Sequence, residues 1–312
     1  VKHVKTLFAW LQLLRLPNHS TVAADILAGF LIASQAREIA MPPAPFWWAL
    51  AAGLFFYAAG MVLNDVFDVA LDRRERPERP LPRGAIDVAT AASVGQRLLG
   101  IGGICACITA FVSGHAAVAL VGAALTAAIW IYDRHAKATA FGPTVMGSCR
   151  ALSWLLGMTA AGGPTAHEWL IPLGMGMYAG GITLFARDEA GQSRRGELAI
   201  ATIVMLAGLA VAAGHTWLMA NAGGGAAWLR GERLTAWLLL WGLLGGSIAV
   251  RNLLGIIDAT GGRVRQAVGN AIMSIITLDA VLVLASCGEP WAIVVLLLLG
   301  PFLFGRQLVS PT

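Results

Sequence analysis

The chain has 312 residues, of which 57% are apolar and 12% charged, whereas about a quarter of an ordinary soluble domain is charged. With a mean hydropathy of +0.71, too little polar surface remains to cover a water-soluble globule, and the alternating strands of a transmembrane barrel are absent. The net charge of +5 comes from 22 basic residues scattered through short loops, which argues against a nucleic-acid partner and points to anionic membrane lipids and a phosphate-bearing ligand.

In chain order, Lys2 and Lys5 precede the apolar run Thr6–Leu14. No small-x-small cleavage site follows, and Arg15-Leu16-Pro17 comes at once, so residues 1–18 predict an interfacial amphipathic helix rather than a cleaved leader. Beyond it, apolar windows long enough for a bilayer predict spans at 20–36, 45–66, 88–112, 115–132, 143–162, 168–187, 197–219, 234–252, 266–286 and 290–306, the last two being the least distinct. The whole chain, 1–312, reads as a single all-α transmembrane domain, a polytopic bundle of nine or ten spans. The 37 glycines suit helices that approach closely in lipid. Assigning Lys and Arg to sides puts 18 with the termini and the charged loops and 3 opposite. By the positive-inside rule that side is cytoplasmic, which makes this a multi-pass protein of the cytoplasmic (inner) membrane.

The end of the second span carries the most informative pattern, Asn64-Asp65-Val66-Phe67-Asp68-Val69-Ala70-Leu71-Asp72. At about 100° per residue, Asp65, Asp68 and Asp72 lie within about 60° of one another on a helix. Three clustered negative charges repel unless something neutralises them. A hard cation such as Mg²⁺, which keeps waters and bridges to substrate phosphates, is the economical answer. The alternative, a solvated acidic helix end, opposes the helix dipole. The loop that follows, Arg73 to Gly84, holds five arginines and three prolines. Guanidinium forks bind phosphate oxygens bidentately, and prolines stiffen the loop; the alternative is an ordinary topology signal.

These residues resemble a known family. Asn64–Asp72 followed by Arg76–Gly84 is similar to the first aspartate motif of UbiA-type intramembrane prenyltransferases, and the likeness extends over most of the chain. It includes the start Arg15-Leu16-Pro17-Asn18-His19, the Tyr132…Lys137 loop and an acidic motif after the sixth span. The resemblance implies an all-helical bundle, usually of nine spans, with a central cavity. It implies two aspartate motifs holding Mg²⁺ on a polyprenyl diphosphate at the cytoplasmic side, with the prenyl tail among the helices. Carried over residue by residue, Asp65, Asp68, Asp72 and Asp188 become the metal-holding and catalytic carboxylates. Asn18, Asn64, Arg76, Arg79, Arg83, Lys137 and Gln192 become substrate-binding residues. The second motif departs from the family pattern: Asp188 and Gly196 hold their places, but Gln192 stands where a second aspartate is usual. An amide can ligate through oxygen but brings no charge. The phrase Phe185–Ala190 and the Arg15–His19 start are similar to the EboC-like branch of the superfamily.

The reading that follows is Mg²⁺-dependent transfer of a prenyl group to a lipophilic or aromatic acceptor within the membrane. The alternative, motivated by Gln192, is a non-catalytic relative that binds or helps export an isoprenoid or pigment precursor. Other polar residues carry expectations of their own. Asp25 and Asp279 lie inside spans, where an ionisable group faces protein or cavity; Asp25 either lines the acceptor pocket or makes a helix contact. Arg150 faces either the cavity or the headgroups, and Asp133 is a helix-end group or a partner of Lys137. Trp47, Trp48, Trp130, Trp169 and Trp291 read as interface belts. The four cysteines lack metal-ligand spacing and read as small core residues.

Overall fold

A backbone surrounded by lipid must satisfy its own hydrogen bonds, and in a sequence this apolar the helix is the local solution. In the computed structural model, which describes residues 2–35, 41–187, 194–221 and 232–308, every regular element among the described residues is helical. Helix α1 (Lys2–Leu13) leads through a 3-10 turn (Leu16–Asn18) into α2 (His19–Ser34), followed by α3 (Ala44–Glu75), α4 (Val88–Ser113) and α5 (Ala117–Ile131). A π-helical turn (Tyr132–Ala136) joins α5 to α6 (Gly142–Ala160). Then come α7 (Leu170–Phe185), α8 (Arg195–Asn221), α9 (Glu232–Ile257), α10 (Gly261–Cys287), α11 (Glu289–Leu297) and α12 (Leu299–Leu308).

Each expected span coincides with helix, and seven helical stretches among the described residues are long and apolar enough to cross a membrane, counting α5 with its π turn as one and α11 with α12 as another. Helices α2 and α7, with 16 residues each, fall short of that length, and the final expected span is interrupted at Leu298 between α11 and α12. The expected interfacial helix is more deeply docked than amphipathicity alone implies. Ala9 and Leu13 of α1 are fully buried in a cluster with Val62, Leu81, Ile86 and Ala91.

One apolar core runs from α2 through α12, with Trp154, Tyr178, Phe56 and Leu156 among its fully buried members. Helices α2 and α6 meet through glycine. A Cβ on Gly157 would stand 2.3 Å from the Ile26 carbonyl oxygen, and one on Gly29 2.6 Å from that of Trp154. Only a residue without a Cβ lets the two backbones approach so closely. Trp47, Trp48 and Trp169 are exposed, as a belt requires, but Trp291 is buried in the core instead. None of the four cysteines forms a disulfide; Cys105 and Cys287 are buried as expected, whereas Cys107 is exposed on the outer face of α4.

Candidate active site

Helix α3 runs unbroken through the aspartate pattern, so the expected single face exists. Asp65 and Asp72 are buried, and Asp68 is partly exposed. The helix stops at Arg76, because a residue before proline is disfavoured in the α region and Pro77 follows. From there the chain turns back tightly, with Arg79 N–H bonding the Arg76 carbonyl at 3.1 Å and Ala85 N–H bonding that of Pro80 at 3.0 Å. Gly84 takes the left-handed conformation at φ +72°. Burial of Leu81 and Ile86 against α1 pins this loop down. The same fold-back sends Arg79 inward and leaves Arg83 exposed.

The three aspartates are each met by a basic side chain. Arg79 Nη1 bonds Asp72 Oδ2 at 2.8 Å and lies 3.7 Å from Asp65 Oδ1, with little exposure on any partner. Arg15 Nη2 donates to Asp65 Oδ1 at 3.2 Å. Lys137 Nζ donates to Asn64 Oδ1 at 2.7 Å and forms an ion pair with Asp68. Sequence reasoning expected a bound cation to relieve the repulsion among these carboxylates; the fold relieves it with three cationic side chains drawn from three segments.

Two local devices aim those cations. Arg15 has a left-handed backbone, φ 47° and ψ 50°, an uncommon state for a residue with a Cβ and one that concentrates at functional positions. Packing over-determines it, since buried Pro17 follows and Gly305 of α12 lies against that proline. Tyr132 and Lys137 are five residues apart, which on an α-helix is a rotation of about 140°. The π turn closes with the Lys137 N–H on the Tyr132 carbonyl at 3.1 Å and takes up the extra residue, and Lys137 reaches Asn64 and Asp68 of α3 from its end. Asp133, within that turn, is buried near Lys137 and Asp68, and its Oδ2 has no donor among the described residues.

The remaining expected residues fall into three groups. Asn18 ends the 3-10 turn, its carbonyl accepting from Thr21 Oγ1 at 2.8 Å, and Tyr57 packs edge-on to His19 at 5.0 Å. Arg76 is partly exposed, and Arg83 donates to Gln12 of α1 at 3.0 Å, so neither joins the aspartates. Asp188 and Gln192 lie outside the described residues. Sequence reasoning gave Arg15 no role of its own, although its place five residues before the first span marked it. Arg150, left open between cavity and headgroups, points inward to Asp25.

Among the described residues no three acidic, histidine or cysteine side chains converge into one metal shell. The donors nonetheless suit Mg²⁺, which takes oxygen ligands only and is ordinarily held by one or two carboxylates together with substrate phosphates. Asp65, Asp68 and Asp72 offer that chemistry on one helix face.

Residues 24–268 match the UbiA prenyltransferase family. The chain is 29% identical over 213 residues to the digeranylgeranylglyceryl phosphate synthase of Metallosphaera sedula, covering 65% of this chain and 69% of that protein. Synthases of the same name from Sulfurisphaera tokodaii and Saccharolobus solfataricus align over only about a third of their length. Among solved structures, a UbiA homologue from Archaeoglobus fulgidus bound to GPP and Mg²⁺ shares the fold at 13% identity, with a TM-score of 0.56, covering 86% of this chain and 99% of that one.

Proposed function

The chain belongs to the UbiA prenyltransferase family, and from that premise we propose that it transfers a prenyl group from a polyprenyl diphosphate to a lipophilic or aromatic acceptor inside the membrane. The site opens on the cytoplasmic face, in keeping with the bias of basic residues toward its loops. The observation that carries the reading is the interlocking of Arg15, Lys137 and Arg79 with Asp65, Asp68 and Asp72. A diphosphate needs cations and a divalent metal needs carboxylates, and this arrangement stores both in neutral pairs.

Asp65, Asp68 and Asp72 would hold Mg²⁺, with Asp188 and the Gln192 amide oxygen from the second motif. Mg²⁺ held there would supply positive charge for the diphosphate oxygens and so ease departure of the leaving group. Lys137 and Arg15 have side chains 35% and 32% exposed, so they can exchange a carboxylate for a diphosphate oxygen, whereas Arg79 at 5% stays with Asp72. Their charge stabilises the negative charge that develops as the allylic carbon–oxygen bond breaks and its electron pair goes to pyrophosphate. The surrounding apolar helices keep water from the allylic cation. The acceptor's nucleophilic carbon or oxygen then bonds to the allylic carbon and releases a proton.

Titration calorimetry of the purified protein with geranyl, farnesyl and geranylgeranyl diphosphates, with Mg²⁺ and with EDTA, tests the reading. Binding should require Mg²⁺ and should be lost in Asp68→Asn and Asp72→Asn. Full Mg²⁺-dependent binding by both variants would overturn it.

A further inference from the structure

Helices α9 and α10 are joined by three residues, Asp258 to Thr260, and so pack side by side. On its inner side α10 is fixed by Val264 and Ala267, which are buried with Phe185 of α7 and Leu198 of α8. Arg195 Nη2 donates to the Ile257 carbonyl at 3.1 Å and satisfies the end of α9. On the outer side the two helices leave a notch of about 260 Å³, lined by Val250, Arg251 and Leu254 of α9 and by Arg263, Gln266 and Ala267 of α10. The spacings are those of neighbours on one helix face, so a single face of each helix contributes.

The surface beside the notch belongs in lipid. Val250, Leu253, Leu254 and Ile257 are 48–59% exposed on a helix long and apolar enough to span a membrane. Arg251 is exposed among them, six residues before the end of α9 and so about 9 Å along its axis. A guanidinium facing lipid at that depth is costly, and among the described residues no carboxylate pairs with it. Snorkelling lifts such a head to water without any partner. Here the side chain instead lines the notch together with Arg263 and Gln266.

Arg263 adds a second imbalance. It stands in the first turn of α10, where the helix dipole disfavours a cation and no acidic residue offsets it. Asp258, its acidic neighbour, is 3.7 Å away with both side chains more than half exposed, a pairing of little strength. Two guanidiniums and an amide, close to a helix N-terminus, therefore face one small recess, and that arrangement is complementary to an anion. The recess is smaller than the about 300–1,000 Å³ of pockets that enclose a drug-sized ligand, so it suits a headgroup and not a prenyl chain. It is continuous with the exposed aliphatic face of α9, where acyl chains run in a bilayer.

We propose that this notch seats the phosphodiester of an anionic phospholipid from the leaflet on the side of the charged loops. Arg251 and Arg263 hold its phosphate oxygens, the Gln266 amide donates to the headgroup, and the acyl chains lie against Val250 and Leu254. Basic recesses between spanning helices on the cytoplasmic side suit such lipids. A choline headgroup would bring its own positive charge beside the two guanidiniums and is disfavoured. The site is separate from the prenyl-transfer chemistry and does not depend on that reading.

The test titrates the full chain, purified and delipidated in a neutral detergent, with phosphatidylglycerol, with phosphatidylcholine of the same acyl chains, and with inorganic phosphate as competitor. Native mass spectrometry reads the bound lipid. The first phosphatidylglycerol should bind at least about tenfold more tightly than phosphatidylcholine. Arg251→Gln and, independently on the other helix, Arg263→Gln should each reduce that preference about fivefold or more. Both side chains are exposed, so the unfolding temperature of each variant in lipid-free detergent should stay close to that of the wild type. Arg97→Gln removes one exposed arginine from α4, outside the notch, and should leave the preference within about twofold. Equal binding of the two phospholipids, no loss in the two notch variants, or an equal loss in Arg97→Gln would each overturn the assignment. Inorganic phosphate that competes as well as phosphatidylglycerol would assign the notch to a free anion and overturn it too.

Discussion

Arg79 and Arg83 occupy neighbouring places in one arginine-rich motif, yet their removal should have very different effects. Arg79 is held between Asp72 at 2.8 Å and Asp65 at 3.7 Å, with side-chain exposures of 5–7% throughout. Arg79→Gln leaves Asp72 as a buried carboxylate without its cation, which costs about 3–5 kcal/mol. At about 2 °C per kcal/mol for a chain of this size, the apparent Tm should fall by about 6–10 °C. Arg83, by contrast, is exposed and makes one hydrogen bond to Gln12, so Arg83→Gln should stay within about 0.5 kcal/mol of the wild type. Pairing Arg79→Met with Asp72→Asn removes the orphaned charge and should restore most of the loss, Asp65 still being met by Arg15. Thermal unfolding in one detergent at one scan rate measures all four proteins, because unfolding of such a chain is usually under kinetic control. Equal shifts for Arg79→Gln and Arg83→Gln would refute the distinction between a buried, ion-paired arginine and an exposed one.

Three further outcomes follow from particular contacts. Gly157→Ala places a methyl 2.3 Å from the Ile26 carbonyl oxygen and should lower stability by about 1–3 kcal/mol as α2 and α6 separate, seen as a lower unfolding temperature; an unchanged value would mean the helices do not meet there. Asp87 caps α4, accepting from Thr90 N–H at 2.9 Å, and those hydrogen bonds from Thr90 hold its carboxyl below the ordinary carboxylate range. Its contribution is therefore present above that range and lost as pH falls through the lowered value, so the Tm gap between wild type and Asp87→Ala should close on acidification; a widening gap would contradict the sign. Gln192→Asp restores a carboxylate to the second motif and should lower the Mg²⁺ concentration needed for half-maximal diphosphate binding; a higher requirement would count against Gln192 as a metal-side residue.

Short-range pattern was enough to determine several features of this protein. Apolar run length decided that it is a helical membrane bundle, and the spacing of Asp65, Asp68 and Asp72 decided that they share one helix face, because both depend only on a fixed rise and rotation per residue. The motif residues from Asn64 to Gly84 were enough to suggest the family. Other features needed the tertiary structure. Arg15 meets Asp65 from 50 residues away, through a left-handed turn set by how Pro17 packs beneath α12. Arg79 turns inward and Arg83 outward because Leu81 and Ile86 bury against α1, and no charge pattern records that choice. Asp25 and Arg150 come from two helices whose mutual rotation is fixed by glycine contacts and side-chain volumes. A sequence read along one helix at a time states which face is polar. Which polar faces meet is decided only when all the helices are packed, since that outcome minimises buried unpaired charge and empty volume together.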